Sequence, residues 1–393
     1  MSRKDRLSGN EAVAIAMRQI NPDVMPAFPI TPSTEIPQYF SNFVANGQVD
    51  TEFIPVESEH SAMSAAIGAE AAGARTLTAT SSCGMAFMWE ELYVASSNRL
   101  PIAMALVNRA LSGPININAD HSDAMGARDT GWIQIFSENN QEAYDNFVMA
   151  YPIAEHEDVH LPIMICQDGF ITSHAVENIV IEDDDDVKKF VGEYEPKHFL
   201  LNADEPLAVG PYSVTNYYME ARRAQAEAMA HVPGVVLEVA KKFESIFGRH
   251  YGLIESYRME DADYAFVLMG SAAGTMKEYV DGLRKEGEKV GLVKVRMFRP
   301  FPAKEVAQAL SHVKAVAVLD RAESFNNVGG PLSGEVLRAL FLQKVRCEAA
   351  DYVYGLGGRD LLMEHVRSVL EDLKKLCAGE TLPAFYRYLG VRE

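Results

Sequence analysis

The chain has 393 residues, 48% of them apolar, and its 55 acidic against 36 basic residues give a formal net charge of −19. This length is typical of two or three domains with large apolar cores. So acidic a composition disfavours nucleic acid and anionic membranes as partners, and it suits a soluble enzyme or a subunit that meets basic partners.

The spacing of the cysteines and the composition of the N-terminal segment indicate the cellular compartment and whether the chain binds metal by itself. Cys83, Cys166, Cys347 and Cys377 are scattered, and no two of them form a CxxC pair. We therefore expect neither iron–sulfur nor zinc ligation by this chain alone, and free thiols in a reducing cytosol. The charged N-terminus leads into no apolar segment, which predicts no signal peptide. Without an uncharged apolar run of about 18 residues, we also expect no membrane span and a cytoplasmic location.

Strand and helix patterns alternate through the first half of the chain. Residues 9–20 have helical apolar spacing behind Ser8 or Asn10 as the cap, and residues 24–30 predict a strand that ends in a proline-rich loop. The next predicted helix is capped by Ser33 or Thr34. The remaining predictions are strands at 53–56, 76–82, 102–107 and 162–166, a small-residue helix after residue 56, and helices at 84–94 and 140–151. This alternation predicts an α/β fold with a parallel sheet covered on both faces.

A change of composition separates this half from a second α/β unit. The acidic run at residues 182–186 predicts an exposed segment, with a contact to a basic partner as the alternative. A long polar helix is predicted at about 215–245. Further strands are predicted at 264–269, 289–295 and 315–321, with helices at 275–286 and before residue 312. We therefore place one domain at residues 1–245, including the long helix, and a second at residues 260–393.

Two motifs in the chain have ordinary structural explanations. The segment Gly270-Ser-Ala-Ala-Gly274 has GxxxG spacing instead of GxGxxG, and no acidic residue ends the next strand, so we predict a tight turn and no dinucleotide site. Asp120, His121 and Asp123 could suggest a metal. No fourth ligand stands at a recognisable spacing, and a hydrogen-bonded loop is favoured.

Three charged residues are candidates for a site. Arg109 follows a buried strand, where open α/β sheets bind ligands, and it could hold a carboxylate bidentately. A structural salt bridge is the favoured explanation from this segment alone. Glu57 and Glu59 precede the small-residue helix, where acidic residues favour the helix dipole and cap free amides. Being two positions apart, they face different directions, and at most one can point into a site.

A set of segments occurs together here in a fixed order. The set comprises residues 28–36 (FPITPSTEI), 56–63 (VESEHSAM), 108–117 (NRALSGPINI), 120–123 (DHSD), 128–132 (RDTGW), 299–302 (RPFP), 319–321 (LDR) and 355–360 (GLGGRD). As a set it resembles the α subunits of the 2-oxoacid:ferredoxin oxidoreductases over essentially the full length, and most closely those of pyruvate-specific enzymes.

The resemblance implies a thiamine diphosphate-binding domain of the pyrimidine type, followed by a smaller domain like the C-terminal domain of transketolase. The GDG motif that holds diphosphate and Mg²⁺ is absent here, so the resemblance implies that a β subunit supplies that site together with a 4Fe–4S cluster. A γ subunit and a ferredoxin-like δ subunit complete such complexes, and the chain alone should be inactive. The implied activity is the reversible, coenzyme A-dependent oxidative decarboxylation of pyruvate to acetyl-CoA and CO₂, with ferredoxin as the electron acceptor.

The resemblance also implies roles for three residues. Glu59 matches the glutamate that activates thiamine through the pyrimidine ring, Arg109 the residue that clamps the substrate carboxylate, and Thr31 one that hydrogen-bonds the substrate. Glu57 is then a capping or surface residue, and His60 a local hydrogen-bonding residue. Oxalate-specific relatives carry an arginine where Thr31 stands, which argues against a second substrate carboxylate. A 2-oxoisovalerate or other 2-oxoacid enzyme remains an alternative, as does a scaffold subunit without catalytic residues.

Overall fold

The computed structural model describes residues 2–392, and most of its strands belong to two large sheets. The strands are β1 (Arg3–Ser8), β2 (Val24–Ala27), β3 (Glu52–Pro55), β4 (Leu77–Thr80), β5 (Ala103–Asn108), β6 (Ile133–Phe136), β7 (Ile163–Asp168), β8 (Val176–Ile181), β9 (Ile254–Tyr257), β10 (Tyr264–Leu268), β11 (Val290–Val295), β12 (Met297–Arg299), β13 (Ala315–Asp320), β14 (Glu348–Val353) and β15 (Tyr386–Tyr388).

Helices follow most of these strands. They are α1 (Gly9–Ile20), α2 (Glu35–Ala45), α3 (Glu59–Ala71), α4 (Ser82–Phe87), α5 (Trp89–Ser97), α6 (Ser122–Gly126), α7 (Asn140–Ala154), α8 (Asp184–Val191), α9 (Tyr218–Phe247), α10 (Ala272–Lys285), α11 (Ala303–Ala309), α12 (Pro331–Leu342) and α13 (Met363–Cys377), with a short 3₁₀ turn at Leu356–Gly358. The alternation predicted from the sequence is therefore present in both halves of the chain.

The first large sheet has the strand order β12-β6-β7-β5-β4. Strands β4 to β7 are parallel, and β12 pairs antiparallel with β6. Every residue of β5 and β7 is buried, as expected for central strands covered on both faces. Because β12 follows β11 of the second sheet along the chain, the backbone returns to the first sheet after entering the second unit.

The second large sheet has the order β15-β14-β13-β10-β11-β9. It is parallel except at its edge, where β9 runs antiparallel to β11. Apolar residues of α10 and α13 pack against it in a core of their own. The α/β fold class predicted from the sequence is confirmed.

Some local predictions need correction. The helix predicted at residues 84–94 is interrupted at Met88, whose backbone (φ −97°, ψ 18°) separates α4 from α5. Strands β1, β6, β8, β9, β12, β14 and β15 were not predicted. β1 is rich in charge and lacks a local apolar pattern that would indicate a strand, and its partner β8 lies far along the chain. Asp184, Asp185 and Asp186 of the acidic run are exposed as predicted and form the first turn of α8, where Asp184 pairs with Arg18. Glu182 departs from the prediction, because only 10% of its side chain is exposed and it pairs with Arg249.

Side chains at the start of α1 hold the proline-rich loop on one side of the candidate site. Ser8 is the cap: its hydroxyl accepts from the Glu11 amide, and the Glu11 carboxylate accepts from the Ser8 amide. Asn10, the alternative cap, is instead fully buried and donates its amide to the Pro32 carbonyl at 2.8 Å. Helix α1 thus anchors the proline-rich loop that carries Thr31. Neither predicted cap of α2 makes a side-chain capping bond, and the Ser33 hydroxyl donates to the Ile30 carbonyl at 2.8 Å.

Candidate active site

The candidate site lies at the carboxyl ends of β4 and β5. These neighbours are paired in parallel from Leu77 with Ala103 to Thr80 with Leu106, so the residues that follow each strand meet at one edge of the sheet. Open α/β sheets bind ligands at such an edge. Arg109 follows β5, and α4 follows β4.

Arg109 is a buried cation held by main-chain carbonyls. Its side chain donates from Nε to the Asn116 carbonyl at 3.0 Å and from Nη1 to the Thr31 carbonyl at 2.9 Å. Within residues 2–392 no carboxylate oxygen lies within 4.0 Å of its guanidinium. The structural salt bridge favoured from the sequence is therefore wrong. Its Nη2 group makes no hydrogen bond to the described residues, which leaves a donor pair for an anionic ligand.

Thr31 stands beside Arg109, across 78 positions of sequence. Its side chain is exposed, and its contact with Arg109 is made through its main-chain carbonyl. The hydroxyl of Thr31 thus remains available at the same place where the arginine presents its unbound N–H groups. The structure brings these two predicted residues together.

Glu59 begins α3 and is buried, with 7% of its surface exposed. Helix α4 passes so closely that a Cβ on Gly84 would lie 2.7 Å from Glu59 Oε1 and 2.5 Å from Thr80 Oγ1. No hydrogen bond or ion pair joins the Glu59 carboxylate to another described side chain. The buried hydroxyls of Thr80 and Ser81 also lack partners within residues 2–392. Two unpaired polar atoms, Glu59 Oε1 and Thr80 Oγ1, therefore lie next to Gly84.

Asp123 connects the Arg109 side of the site to the α4 side. Its Oδ2 accepts from the amides of Ser82 and Arg109, each at 3.0 Å, while Oδ1 accepts from Asn108 Nδ2 at 2.9 Å and from the Ala124 amide at 2.7 Å. Burial raises the pKa of this carboxyl to about 6, although the same four donors act in the opposite direction. Asp123 therefore holds the ends of β4 and β5 in register.

Two contacts complete the link between α4 and the Arg109 loop. The Ser82 hydroxyl donates to the Ala110 carbonyl at 2.5 Å, and Cys83 Sγ lies 2.9 Å from Ser112 Oγ. The Ser112 hydroxyl, helped by the charge of Arg109, lowers the pKa of the Cys83 thiol. The loop that carries Arg109 is thus attached to the helix that packs on Glu59.

His121 joins the two units through a buried charge network. His121 Nε2 lies 2.7 Å from Asp168 Oδ1, while Arg321 Nη1 donates to Asp168 Oδ2 at 2.9 Å. Burial by itself raises the pKa of Asp168, but the charges of His121 and Arg321 more than offset it and hold that pKa well below its usual range. Ser271 also donates to this carboxylate. The network fastens the end of β7 to the ends of β10 and β13.

The geometry supports the hydrogen-bonded loop over a metal site at residues 120–123. Asp120 accepts from the Ser122 amide at 2.8 Å, and within residues 2–392 the groups with metal-ligand geometry include none of Asp120, His121 and Asp123. The predicted turn after β10 is also present. Gly270 adopts φ +70°, and a Cβ there would lie 2.9 Å from Asp168 Oδ2, which only glycine avoids.

Glu57 and His60 lie on the outer side of the α3 terminus. Glu57 is exposed and accepts from the Ser61 hydroxyl, while Ser58 is the residue that caps α3. His60 Nε2 lies 3.2 Å from Glu91 Oε1. Of the two acidic residues, only Glu59 therefore points inward.

The sequence did not indicate Gly84, Thr80, Asp168 or Arg321 as parts of this region. Asp168 ends a fully buried strand, and a charged residue at that position is a signal that could have marked it. Gly84 has no such signal, because its close approach to Glu59 depends on how α3 and α4 pack. No helix of the described residues is long and apolar enough to cross a bilayer.

Two solved structures have a similar fold. A 2-oxoglutarate:ferredoxin oxidoreductase from Magnetococcus marinus, solved with 2-oxoglutarate, coenzyme A and succinyl-CoA bound, superimposes with a TM-score of 0.71 at 19% identity, covering 94% of this chain and 65% of that chain. A split-gene transketolase, an inactive β4 tetramer, superimposes with a TM-score of 0.54 at 11% identity over 95% of this chain and 100% of that chain. At these identities the superpositions show a shared α/β fold.

Sequence comparison identifies the family of the chain. Residues 15–241 match the family model "Pyruvate flavodoxin/ferredoxin oxidoreductase, thiamine diP-bdg", and residues 262–366 match "Pyruvate:ferredoxin oxidoreductase core domain II". Pyruvate synthase subunit PorA of Thermotoga maritima is 54% identical over 98% of both chains, and that of Methanocaldococcus jannaschii 46% over 98% of both. Ketoisovalerate oxidoreductase subunit VorA of Pyrococcus horikoshii is 46% identical over 95% of this chain and 94% of its own. The chain belongs to the pyruvate:ferredoxin oxidoreductase family.

Proposed function

We propose that this chain is the thiamine-activating and substrate-holding subunit of a pyruvate:ferredoxin oxidoreductase. The reaction is the reversible oxidation of pyruvate with coenzyme A to acetyl-CoA and CO₂, with the two electrons passing to ferredoxin. The observation that carries the proposal is the position of Arg109: a buried cation with unused donors stands beside Thr31 at the carboxyl edge of the sheet, 2.9 Å from the Thr31 carbonyl. The 54% identity to a pyruvate synthase subunit supports the same reaction.

The residues around Gly84 fit the pyrimidine end of thiamine diphosphate. Glu59 is buried and its carboxylate has no described protein partner, the buried Thr80 hydroxyl beside it is also unpaired, and Gly84 lets α4 approach both closely. Glu59 would accept a hydrogen bond from the pyrimidine ring there. When bound, thiamine diphosphate would supply a nucleophilic carbon and an electron sink for decarboxylation.

Glu59 acts as a proton carrier in this proposal. General acid–base assistance of this kind contributes about 10²–10⁴-fold to a rate. The absence of another described partner leaves both carboxylate oxygens of Glu59 free for the cofactor.

Arg109 and Thr31 hold the substrate in this proposal. The free N–H groups of Arg109 bind the pyruvate carboxylate, and the neutral hydroxyl of Thr31 donates a further hydrogen bond. A single buried arginine binds the carboxylate through charge-assisted bonds, yet the product that leaves is neutral CO₂. The main-chain bonds to Thr31 and Asn116 fix the guanidinium, so little side-chain entropy is lost when substrate binds.

The remaining components of the reaction come from other chains in this proposal. A β subunit provides the diphosphate site, Mg²⁺ and a 4Fe–4S cluster, and γ and ferredoxin-like δ subunits complete the path to ferredoxin. The four cysteines of this chain are free thiols, which suits a reducing cytoplasm.

Pyruvate is preferred over 2-oxoisovalerate as the substrate, although a ketoisovalerate oxidoreductase subunit is 46% identical. The two activities share all the chemistry of Glu59 and Arg109 and differ in the shape of the pocket. Steady-state turnover of the assembled complex on both acids, with a viologen dye as the acceptor, distinguishes them. A higher kcat/KM on the branched acid would overturn the assignment of pyruvate.

Substitution of Glu59 tests catalysis against a scaffold role. Glu59→Gln keeps the side-chain size and should lower kcat by about two to four orders of magnitude, because it removes the proton carrier. Glu57→Gln is the matched control, since Glu57 lies two positions away and is exposed. Assembly, followed by size-exclusion chromatography, should be unchanged in both. Near-normal turnover of Glu59→Gln would favour a scaffold subunit.

A further inference from the structure

A glycine-rich turn of the second unit contacts the loop that carries Arg109. The turn follows β14, and Gly355, Gly357 and Gly358 in it adopt φ values of 64°, 62° and 83°. We call residues 355–358 the glycine turn. They belong to the segment 355–360, which is part of the set that resembles the family, and the proposed function gives this segment no role.

Asn116 is the loop residue that meets the glycine turn. Among residues 112–118 it is the one residue that is not exposed. Its Nδ2 donates to the Gly357 carbonyl at 3.2 Å, and its Oδ1 accepts from the Asn118 amide at 2.7 Å. The side-chain amide of Asn116 therefore has one partner in the second unit and one in its own loop. The Gly357 amide also donates to Asp120 Oδ2, at 3.4 Å.

The backbones of the loop and the glycine turn approach too closely for other side chains in the turn. A Cβ on Gly357 would lie 2.4 Å from Asn116 Nδ2, and a Cβ on Gly358 would lie 2.5 Å from Asn118 Cβ. The positive φ values of both glycines also disfavour other residues. The position of Asn116 therefore depends on the glycine turn.

Asn116 also holds the guanidinium of Arg109. Its main-chain carbonyl accepts from Arg109 Nε at 3.0 Å, while the Thr31 carbonyl accepts from Nη1 at 2.9 Å. Because the guanidinium is planar and rigid, bonds at Nε and Nη1 fix the direction in which Nη2 points. A displacement of Asn116 would therefore displace the free donors of Arg109.

The other side of the glycine turn is attached to the buried charge network. Arg321 Nε donates to the Gly355 carbonyl at 3.3 Å, and Arg321 Nη1 donates to Asp168 Oδ2 at 2.9 Å. The glycine turn is therefore held by Arg321 on one side and contacts Asn116 on the other. A continuous series of contacts leads from the end of β7 through the second unit to Arg109.

We propose that Asn116 is a positioning residue for the substrate, through which the glycine turn sets the orientation of the Arg109 guanidinium. This inference rests on the proposed function, because it requires that Arg109 binds the substrate carboxylate. Asn116 acts on Arg109 and needs no contact with the substrate. Loss of its side chain frees the loop from the second unit, so the pyruvate carboxylate should bind more weakly.

Asn116→Ala tests the positioning role in the assembled complex. It removes the bond to Gly357 and should lower kcat/KM for pyruvate about 10–100-fold, since small displacements of a binding group have effects of this size. Most of the change should be a rise in KM, with assembly and thiamine content unchanged. A residue that only stabilises the fold would lower the amount of active complex and leave KM as it is.

Asn98→Ala is the matched control for this substitution. Asn98 is also half-buried, and its side chain donates to the Val94 carbonyl and accepts from the Gly210 amide, each at 2.9 Å. The control therefore removes a similar pair of bonds away from Arg109, and KM should not change. An equal rise of KM in both variants, or none in Asn116→Ala, would overturn the proposal.

A double substitution shows whether Asn116 acts through Arg109. In the Arg109→Met background, Asn116→Ala should cause no further loss of kcat/KM. Losses that multiply would show that the two residues act independently and would overturn the proposal. A loss in Arg109→Met with none in Asn116→Ala overturns this inference alone. An unchanged kcat/KM in Arg109→Met refutes the substrate role of Arg109 and this inference with it.

Gly357→Ala tests the contribution of the second unit. The new Cβ would displace Asn116 and should lower kcat/KM for pyruvate to a similar extent. Gly47→Ala is the matched control, because Gly47 has φ +64° and no atom within 4 Å of the new Cβ, so it carries the same backbone cost without the contact. Equal kcat/KM in Gly357→Ala and Gly47→Ala would show that the glycine turn does not position Arg109.

Discussion

Replacing Arg109 with methionine tests the substrate clamp most directly. Methionine keeps an unbranched side chain of similar length and removes the guanidinium, with its charge and its bonds to the carbonyls of Thr31 and Asn116. Since no described carboxylate pairs with Arg109, the change leaves no buried anion behind. The effect on activity can therefore be separated from the effect on folding.

The magnitude follows from the bonds that are lost. Each hydrogen bond to a charged group is worth about 1.5–3 kcal/mol, so a bidentate clamp on the pyruvate carboxylate contributes about 3–6 kcal/mol. With about 1.4 kcal/mol per factor of ten, kcat/KM should fall by roughly 10²–10⁴-fold. Two bonds from the guanidinium to main-chain carbonyls are also lost, which should destabilise the loop by about 3–6 kcal/mol on the same basis.

The assay measures pyruvate-dependent dye reduction by the assembled complex, together with its thiamine content. Arg296→Met is the matched control, because Arg296 is also buried, with 2% of its surface exposed, and has no carboxylate within 4.0 Å among the described residues. Arg296 donates to Asn146 Oδ1 at 2.6 Å and to the Gly252 carbonyl at 3.0 Å. It should lose stability without a selective loss of kcat/KM. Thiamine should stay bound in both variants.

Two results would refute the reasoning about Arg109. One is an unchanged kcat/KM in Arg109→Met. The other is an equal loss in Arg296→Met, because that would attribute the effect to the general cost of removing a buried arginine. A rise in KM with kcat unchanged would limit Arg109 to ground-state binding.

Two further substitutions test how the site is held. Gly84→Ala places a Cβ 2.7 Å from Glu59 Oε1 and should displace the carboxylate, which should lower kcat about 100-fold while circular dichroism shows the fold retained. Gly68→Ala is the control and should be tolerated, because no atom lies within 4 Å of its new Cβ. Equal activity of the two variants would contradict the role of Gly84. Asp123→Asn replaces two acceptor contacts and should cost about 2–3 kcal/mol in urea unfolding at pH 7. Burial raises the pKa of Asp123 to about 6 in the folded protein, above about 3.9 in the unfolded chain. The folded protein therefore binds a proton on Asp123 more tightly than the unfolded chain does. This difference adds to the free energy of unfolding below about pH 4, and the contribution is lost as the pH rises to about 6. If the free energy of unfolding of Asp123→Asn changed with pH as that of the wild type does, Asp123 would not be the group responsible.

Local patterns were sufficient for much of the fold. The apolar runs predicted as buried strands are β5 and β7, and the small-residue segment after residue 56 is α3. These elements are visible in a sequence because side-chain burial repeats with the period of the local backbone. The charged strand β1 lacks that period, and its pairing with β8 depends on residues more than 160 positions away.

The sequence by itself determined the alternation of strands and helices, the segments that place the chain in its family, and the candidate residues Thr31, Glu59 and Arg109. Only the tertiary structure decided that Glu59 is buried while Glu57 is exposed, and that Arg109 bonds to the Thr31 carbonyl across 78 positions instead of to a carboxylate. It also decided that Asp168 meets Arg321 across 153 positions. The physical reason is that the spacing of residues along the sequence indicates which face of a helix or strand a side chain lies on. Its contact partner depends on how separate helices and strands pack against each other.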